Sequence, residues 1–154
     1  MRSRVFCFGD AALDNIVPIE ALPSPEYAAM FYTESFYIGG TICNTAVDLA
    51  SWGVPTTLAT AYDLGFDEYG DRLIDLLQAF PALDLSRIAR RQDTHTPYCR
   101  LLVTPDGERS MLGFRPRREP DHHLSPEMVS DEQIVVANAS VDVRHLDAFH
   151  ALRA

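Results

Sequence analysis

The sequence predicts an α/β fold: a mostly parallel sheet flanked by helices, with a separate small sheet to one side. Three observations predict it. Short apolar runs rich in branched residues alternate with helical stretches, the order expected of parallel strands joined by helical crossovers. Two regions read instead as extended hairpins, which do not fit between parallel strands and so call for a sheet of their own. The joint "YIGG" at 37–40 turns an aromatic, strand-like run directly into a helix.

Taken in order, "RVFCFG" (4–9) reads as a buried strand broken by Gly9 and Asp10. "DNIVPI" (14–19) resumes the extended chain, and "ALPSPE" is a proline-rich loop. The aromatic and branched residues of "EYAAMFYTESFYI" (26–38) predict one or two strands. A helix follows from about 43 to 52, closed by Gly53 at the usual stop position. "PTTLATAY" (55–62) is a second buried strand. Leu73, Leu77 and Phe80 recur at helical spacing, giving a helix over about 68–80 that Pro81 ends. "PYCRLLVT" and "RSMLGFR" flank the turn "PDGE", with Gly107 where positive φ is needed. "LSPEMVSDE" starts a short helix, "QIVVAN" is a further buried strand, and "SVDVRHLDAFHALRA" closes the chain as a helix.

The 154 residues suffice for one domain with a real core. No apolar run reaches membrane-spanning length, and "MRSRVFCFGD" turns polar too soon for a secretion signal, so a cytoplasmic location is expected. A formal net charge of -9 argues against nucleic acid or an acidic membrane as partner. All 13 basic residues are arginine. The absence of lysine excludes a GxxxxGK[ST] phosphate loop and a Schiff-base lysine. Cys7, Cys43 and Cys99 lie in apolar surroundings without metal-ligand spacing, and are expected to be reduced thiols.

Four segments, in order, resemble the N-terminal half of a ribokinase-like (PfkB family) carbohydrate kinase. "VFCFGDAALDNIV" is similar to the family's first strand, with Asp14 at its sugar-binding aspartate. "GGTICNTAVDLASWGV" fits the signature GGxxxNxAxxLxxxG at Gly39, Gly40, Asn44, Ala46, Leu49 and Gly53. "GFDEYGDRL" resembles G-x-D-x-x-G at Gly65, Asp67 and Gly70, after an approach about two residues longer than usual. "TPYCRLLVTPDGERSMLGFR" resembles the strand pair of the family's lid.

The resemblance implies a Rossmann-like, mostly parallel sheet with a small β-sheet lid, its strands at about 15–38 and 97–115. It also implies transfer of a phosphoryl group from ATP, with Mg2+, to a sugar or nucleoside hydroxyl. A substrate site at Asp14, Gly39, Gly40 and Asn44 and a homodimer through the lid strands follow in the same way. Asn138, directly after the last strand, is a further pocket candidate. The chemistry of these residues agrees. Glycines let a ligand approach the backbone, helix-start N–H groups carry partial positive charge, and an ionised Asp14 can accept from two neighbouring hydroxyls. The same residues also admit a purely structural account: a strand-to-helix turn, a helix-capping asparagine and a loop-capping aspartate.

Other polar groups read more plainly. Asp67, Glu68 and Asp71 suit a helix N-terminus rather than a metal site. Gly65 and Gly70 suit a turn. Arg115, Arg117 and Arg118 could meet a phosphorylated substrate or form a solvated face. His122 and His123 read as surface loop, and His145 and His150 have poor ligand spacing. The family's glycine-rich G-A-G-D segment, which carries the catalytic base, has no counterpart, since no glycine follows Gly113. The expectation is that this chain supplies the sugar-binding and lid half and does not transfer phosphate alone. The alternative is a non-catalytic sugar-binding or dimerising remnant. An unpaired edge at "QIVVAN" is expected to favour association.

Overall fold

The computed structural model describes residues 4–115, 120–129 and 133–138. The expected helix over 140–154, with His145 and His150, and Arg117 and Arg118 lie outside the described residues.

Strands β1 (Arg4–Gly9), β4 (Thr56–Thr60), β6 (Leu83–Arg87) and β10 (Gln133–Ala137) form one sheet in the order β10-β1-β4-β6, every pair parallel. The central β1 is covered on both faces, which is why it reads as an unbroken apolar run. Val5 and Cys7 join the core under the helices, while Phe6 and Phe8 pack on the other side with Ala59, Ala61 and Leu124. Helix α1 (Thr41–Ser51) buries Ile42, Cys43, Ala46 and Ala50, and α2 (Glu68–Gln78) buries Leu73 and Leu77. Each set lies along one helical face. Asp67 caps α2 by accepting from Gly70 N–H at 2.8 Å, with Glu68 and Asp71 in the first turn, as the sequence suggests.

The second sheet runs β3-β2-β8-β9, from β3 (Ser35–Gly39), β2 (Ala12–Pro18), β8 (Tyr98–Val103) and β9 (Arg109–Phe114). β2 pairs antiparallel with β3 and parallel with β8, and β8–β9 is the expected hairpin, with Gly107 at φ 87°. One face of this sheet packs on α2. Tyr98 stacks between Tyr69 of α2 and Phe114, and the Arg72 guanidinium covers the Phe36 ring at 4.2 Å. On that same face Asn15 is fully buried (0% exposed) and held at both ends of its amide. It donates to Glu34 Oε2 at 3.1 Å and accepts from Arg100 Nε at 2.8 Å. Among the described residues no helix is long and apolar enough to cross a membrane.

Three expectations need correction. Only Ser35–Gly39 of the aromatic run is a strand; residues 28–34 lie outside helix and strand, with Tyr27, Met30, Phe31 and Tyr32 exposed. Strand β6 was not foreseen, because "LDLSR" buries only Leu83 and keeps its polar residues on an exposed sheet edge. Helix α1 starts at Thr41, two residues earlier than the sequence suggests, because Asp10 accepts from its first N–H groups. A two-residue pair, β5 (Leu64–Gly65) with β7 (Arg90–Arg91), and a single 3-10 turn at Pro126–Met128 complete the described elements.

Candidate functional site

β1 ends at Gly9, and the next residue reaches across to the start of α1. The residue preceding that helix, Gly40, has no side chain with which to cap it. Asp10 takes the role from 31 positions away. Thr41 N–H donates to its Oδ2 at 3.0 Å, Ile42 N–H to Oδ1 at 3.1 Å, and Cys43 N–H to its backbone oxygen at 3.2 Å. These bonds satisfy the first-turn donors and set a carboxylate against the positive end of the helix. They also correct the expectation that α1 offers free N–H groups to a ligand. The missed signal was the uncapped Gly-Gly joint itself, which requires an acceptor from elsewhere.

The predicted site residues fall into two neighbouring groups. Asp14 and Gly39 meet: a Cβ on Gly39 would lie 2.7 Å from Asp14 Oδ2, so the bare residue leaves space for the carboxylate. Gly40 adopts φ 92°, and a Cβ there would lie 2.8 Å from the Asp10 carbonyl oxygen. Here both the positive φ and the close backbone approach require glycine. Asn138 belongs with Asp10, donating from Nδ2 to Oδ1 at 3.4 Å, while its N–H bonds Phe8 O at 3.2 Å. Asn44 lies in the first turn of α1, its N–H donating to Gly40 O at 2.9 Å; the residue is exposed and its side chain makes no hydrogen bond among the described residues.

Asp14 is the unusual member. It is half-buried, its carboxylate has no hydrogen-bond or ion-pair partner among the described residues, and burial pushes its carboxyl above the ordinary 3.8. A half-buried carboxylate without a partner among the described residues is costly for a fold.

A cavity of about 300 Å³ opens at this end of β2, lined by Ala12, which shares a strand face with Asp14 two residues on. Asp10, Asn138 and Tyr62 form the wall contributed by the main sheet, beyond the carboxyl ends of β1, β10 and β4. Ala12, Pro97, Gly113, Phe114 and Arg115 form the wall contributed by the second sheet. Ligands of open α/β sheets bind at this end of the strands. A cavity of about 490 Å³ at the opposite end, lined by Val5, Leu49, Trp52 and Ile134 among others, is apolar and distant from every polar group discussed here.

The segment "GFDEYG" holds the second sheet to the main body rather than facing the cavity. Asp67 Oδ2 accepts from Thr96 N–H at 2.9 Å, and Thr96 Oγ1 accepts from Gly65 N–H at 2.9 Å. Thr96 leads directly into Pro97 of the cavity wall. Burial opposes ionisation of Asp67, but hydrogen bonds from Thr96 and Gly70 together hold its carboxyl below the usual value. A depressed folded-state pKa gives stability that is present above the unfolded value and lost as pH falls through the folded one. Asp67→Asn is therefore expected to flatten the acid side of a stability-versus-pH curve measured by urea unfolding. An unchanged slope below pH 3.8, the ordinary carboxyl value, would contradict this. The thiols conform to expectation: all three are free, and burial raises Cys7 to about 11 and Cys43 to about 12.

Comparison with known proteins accords with this arrangement. Residues 2–151 match the pfkB family of carbohydrate kinases. A nucleoside kinase from Methanocaldococcus jannaschii is 26% identical over 104 residues, an alignment covering 67% of this chain and 33% of the relative. The crystal structure of the nucleoside kinase from that organism superposes with a TM-score of 0.60 at 24% identity, covering 74% of this chain and 37% of that one. The structure of Arabidopsis thaliana ribokinase complexed with ribose and ATP gives 0.71 at 20% identity, covering 100% and 52%. The chain thus spans between a third and about half the length of these relatives.

Proposed function

The chain belongs to the pfkB family of carbohydrate kinases, and from that premise we propose that its residues bind the alcohol acceptor of a phosphoryl transfer. In the whole reaction the γ-phosphoryl group of ATP passes to a sugar or nucleoside hydroxyl, whose proton leaves to a base. This chain contributes the grip on the acceptor. The observation that carries the reading is Asp14: a half-buried carboxylate without a partner among the described residues, on the face of β2 that continues through Ala12 into the cavity. It accepts hydrogen bonds from two neighbouring hydroxyls, which fixes the ring's orientation and replaces the solvation the carboxylate has lost. Gly39 leaves room for that carboxylate, Gly40 allows Asp10 and Ala11 to close the floor, and Asn138 and Asn44 offer amides to the remaining oxygens.

The first-turn donors of α1 that could meet a phosphate are engaged by Asp10, and the described residues hold no group of three or more His, Cys, Asp or Glu arranged for a metal ion. We therefore assign no nucleotide contact and no catalytic base to these residues. A homodimer through the lid strands belongs to the same reading: β9 is exposed throughout, with Met111 at 59% and Leu112 at 62%. A monomer by sedimentation at all concentrations would remove that part.

Titration calorimetry against a panel of sugars and nucleosides tests the acceptor site. Binding of at least one neutral polyol is expected, weakened by Asn44→Ala; a panel without a single binder would refute the assignment. A coupled ATP-consumption assay on the same panel distinguishes a chain that turns over from one that only binds.

A further inference from the structure

The acceptor's hydroxyls have Asp14, but the far wall of the cavity carries a group of opposite sign. Arg115 is the one cation among the described residues lining it. It is exposed, and no ion pair or hydrogen bond engages it among the described residues. That sets it apart from Arg72, Arg90 and Arg91, each of which holds a carboxylate within 3.0 Å. The carboxylate that shares its cavity, Asp10, is already committed to the start of α1.

Register fixes where Arg115 stands relative to Asp14. Asp14 pairs with Cys99, and Cys99 with Gly113, so these three residues share one face of the second sheet. One residue beyond the paired stretches of β2–β8 and β8–β9 come Ala12, Pro97 and Arg115. All three line the cavity. Above Gly113 the space is open, with no atom within 4 Å of an added Cβ. Two strand spacings separate β2 from β9, about 10 Å. A pentose or hexose bearing a terminal anionic group is about that long.

Resting on the acceptor-site reading above, the geometry points to a substrate that carries an anionic substituent, a phosphate monoester or a carboxylate, which Arg115 binds while Asp14 holds the hydroxyls at the other end. The planar guanidinium presents paired donors to such a group. In a protein of net charge -9, a cation with no ion-pair partner among the described residues gives this cavity a local attraction for anions.

Calorimetry with matched pairs tests this: D-ribose against D-ribose 5-phosphate, D-fructose against D-fructose 6-phosphate, and D-glucose against D-gluconate. An anionic member is expected to bind about 10- to 100-fold more tightly than its neutral partner. Which pair shows the preference separates phosphate from carboxylate. Arg115→Gln should abolish the preference, Arg115→Lys should retain part of it, and added salt should narrow it. Equal melting temperatures would show that the variants fold. Neutral binding without any anionic preference, or a preference that survives Arg115→Gln, overturns the inference and leaves the acceptor site standing. Failure of every member to bind overturns both.

Discussion

Asp10→Ala is expected to lower the melting temperature by about 5–10 °C, from a loss of about 2–3 kcal/mol. The substitution strips acceptors from Thr41 and Ile42 N–H groups and removes negative charge from the positive end of α1. Gly40 cannot substitute, having no side chain, and Asn138 loses one partner as well. Because α1 lies against β1 and β4, the damage extends beyond the helix end into the main core. Asp10→Asn keeps one acceptor and is expected to cost about half as much. Thermal unfolding followed by circular dichroism checks both. A melting temperature within about a degree of the parent for Asp10→Ala would show that solvent caps α1 adequately.

Asp14→Asn should act in opposite directions on binding and on stability. Binding of the acceptor is expected to fall about 100-fold or more, since the amide can accept less strongly and carries no charge. Stability is expected to rise at neutral pH. Burial raises the Asp14 carboxyl above 3.8, so the folded state holds its proton more tightly than the unfolded chain does. Stability then falls as pH rises from the unfolded value through the folded one, and the ionised form is a burden on the fold at pH 7. The asparagine variant escapes that burden, and its advantage should disappear below pH 3.8, where both forms are uncharged. Paired melting curves at neutral and acidic pH, with calorimetry on any ligand found, read both effects. A variant that binds as well as the parent removes Asp14 from the site. One that is less stable at neutral pH shows that its carboxylate has a partner in the fold.

Much of this arrangement could be read from the sequence because the relevant signals are local. The strands β1 and β10 are dominated by apolar runs, β4 is a short stretch rich in β-branched residues, the period of Leu73 and Leu77 gives α2, and the glycine pair marks the strand-to-helix joint. What was not legible depends on distant partners. The aromatic residues of 27–32 have the composition of a strand, yet none of them pairs along a ladder, and strand preference expresses packing context more than backbone tendency. Conversely, β6 has a polar composition and is a strand because the backbone of Thr56 and Thr57 offers it an edge. Asp10 read as a strand breaker because its role lies 31 residues onward, a separation that no local pattern spans. Arg115 was weighed among neighbouring arginines, but its place in the cavity wall emerges only from the folded chain.

The buried Asn15 has a consequence for its neighbour. Adjacent residues of a strand point to opposite faces, so a shift of β2 by one position would rotate Asp14 into the packed interior and expel Asn15. Such slippage would strand the amide away from Glu34 and Arg100, each of which comes from a different stretch of chain. A one-residue slip of β2 is thus opposed by a buried amide held at both ends, and the aligned pairing keeps Asp14 on the face away from α2.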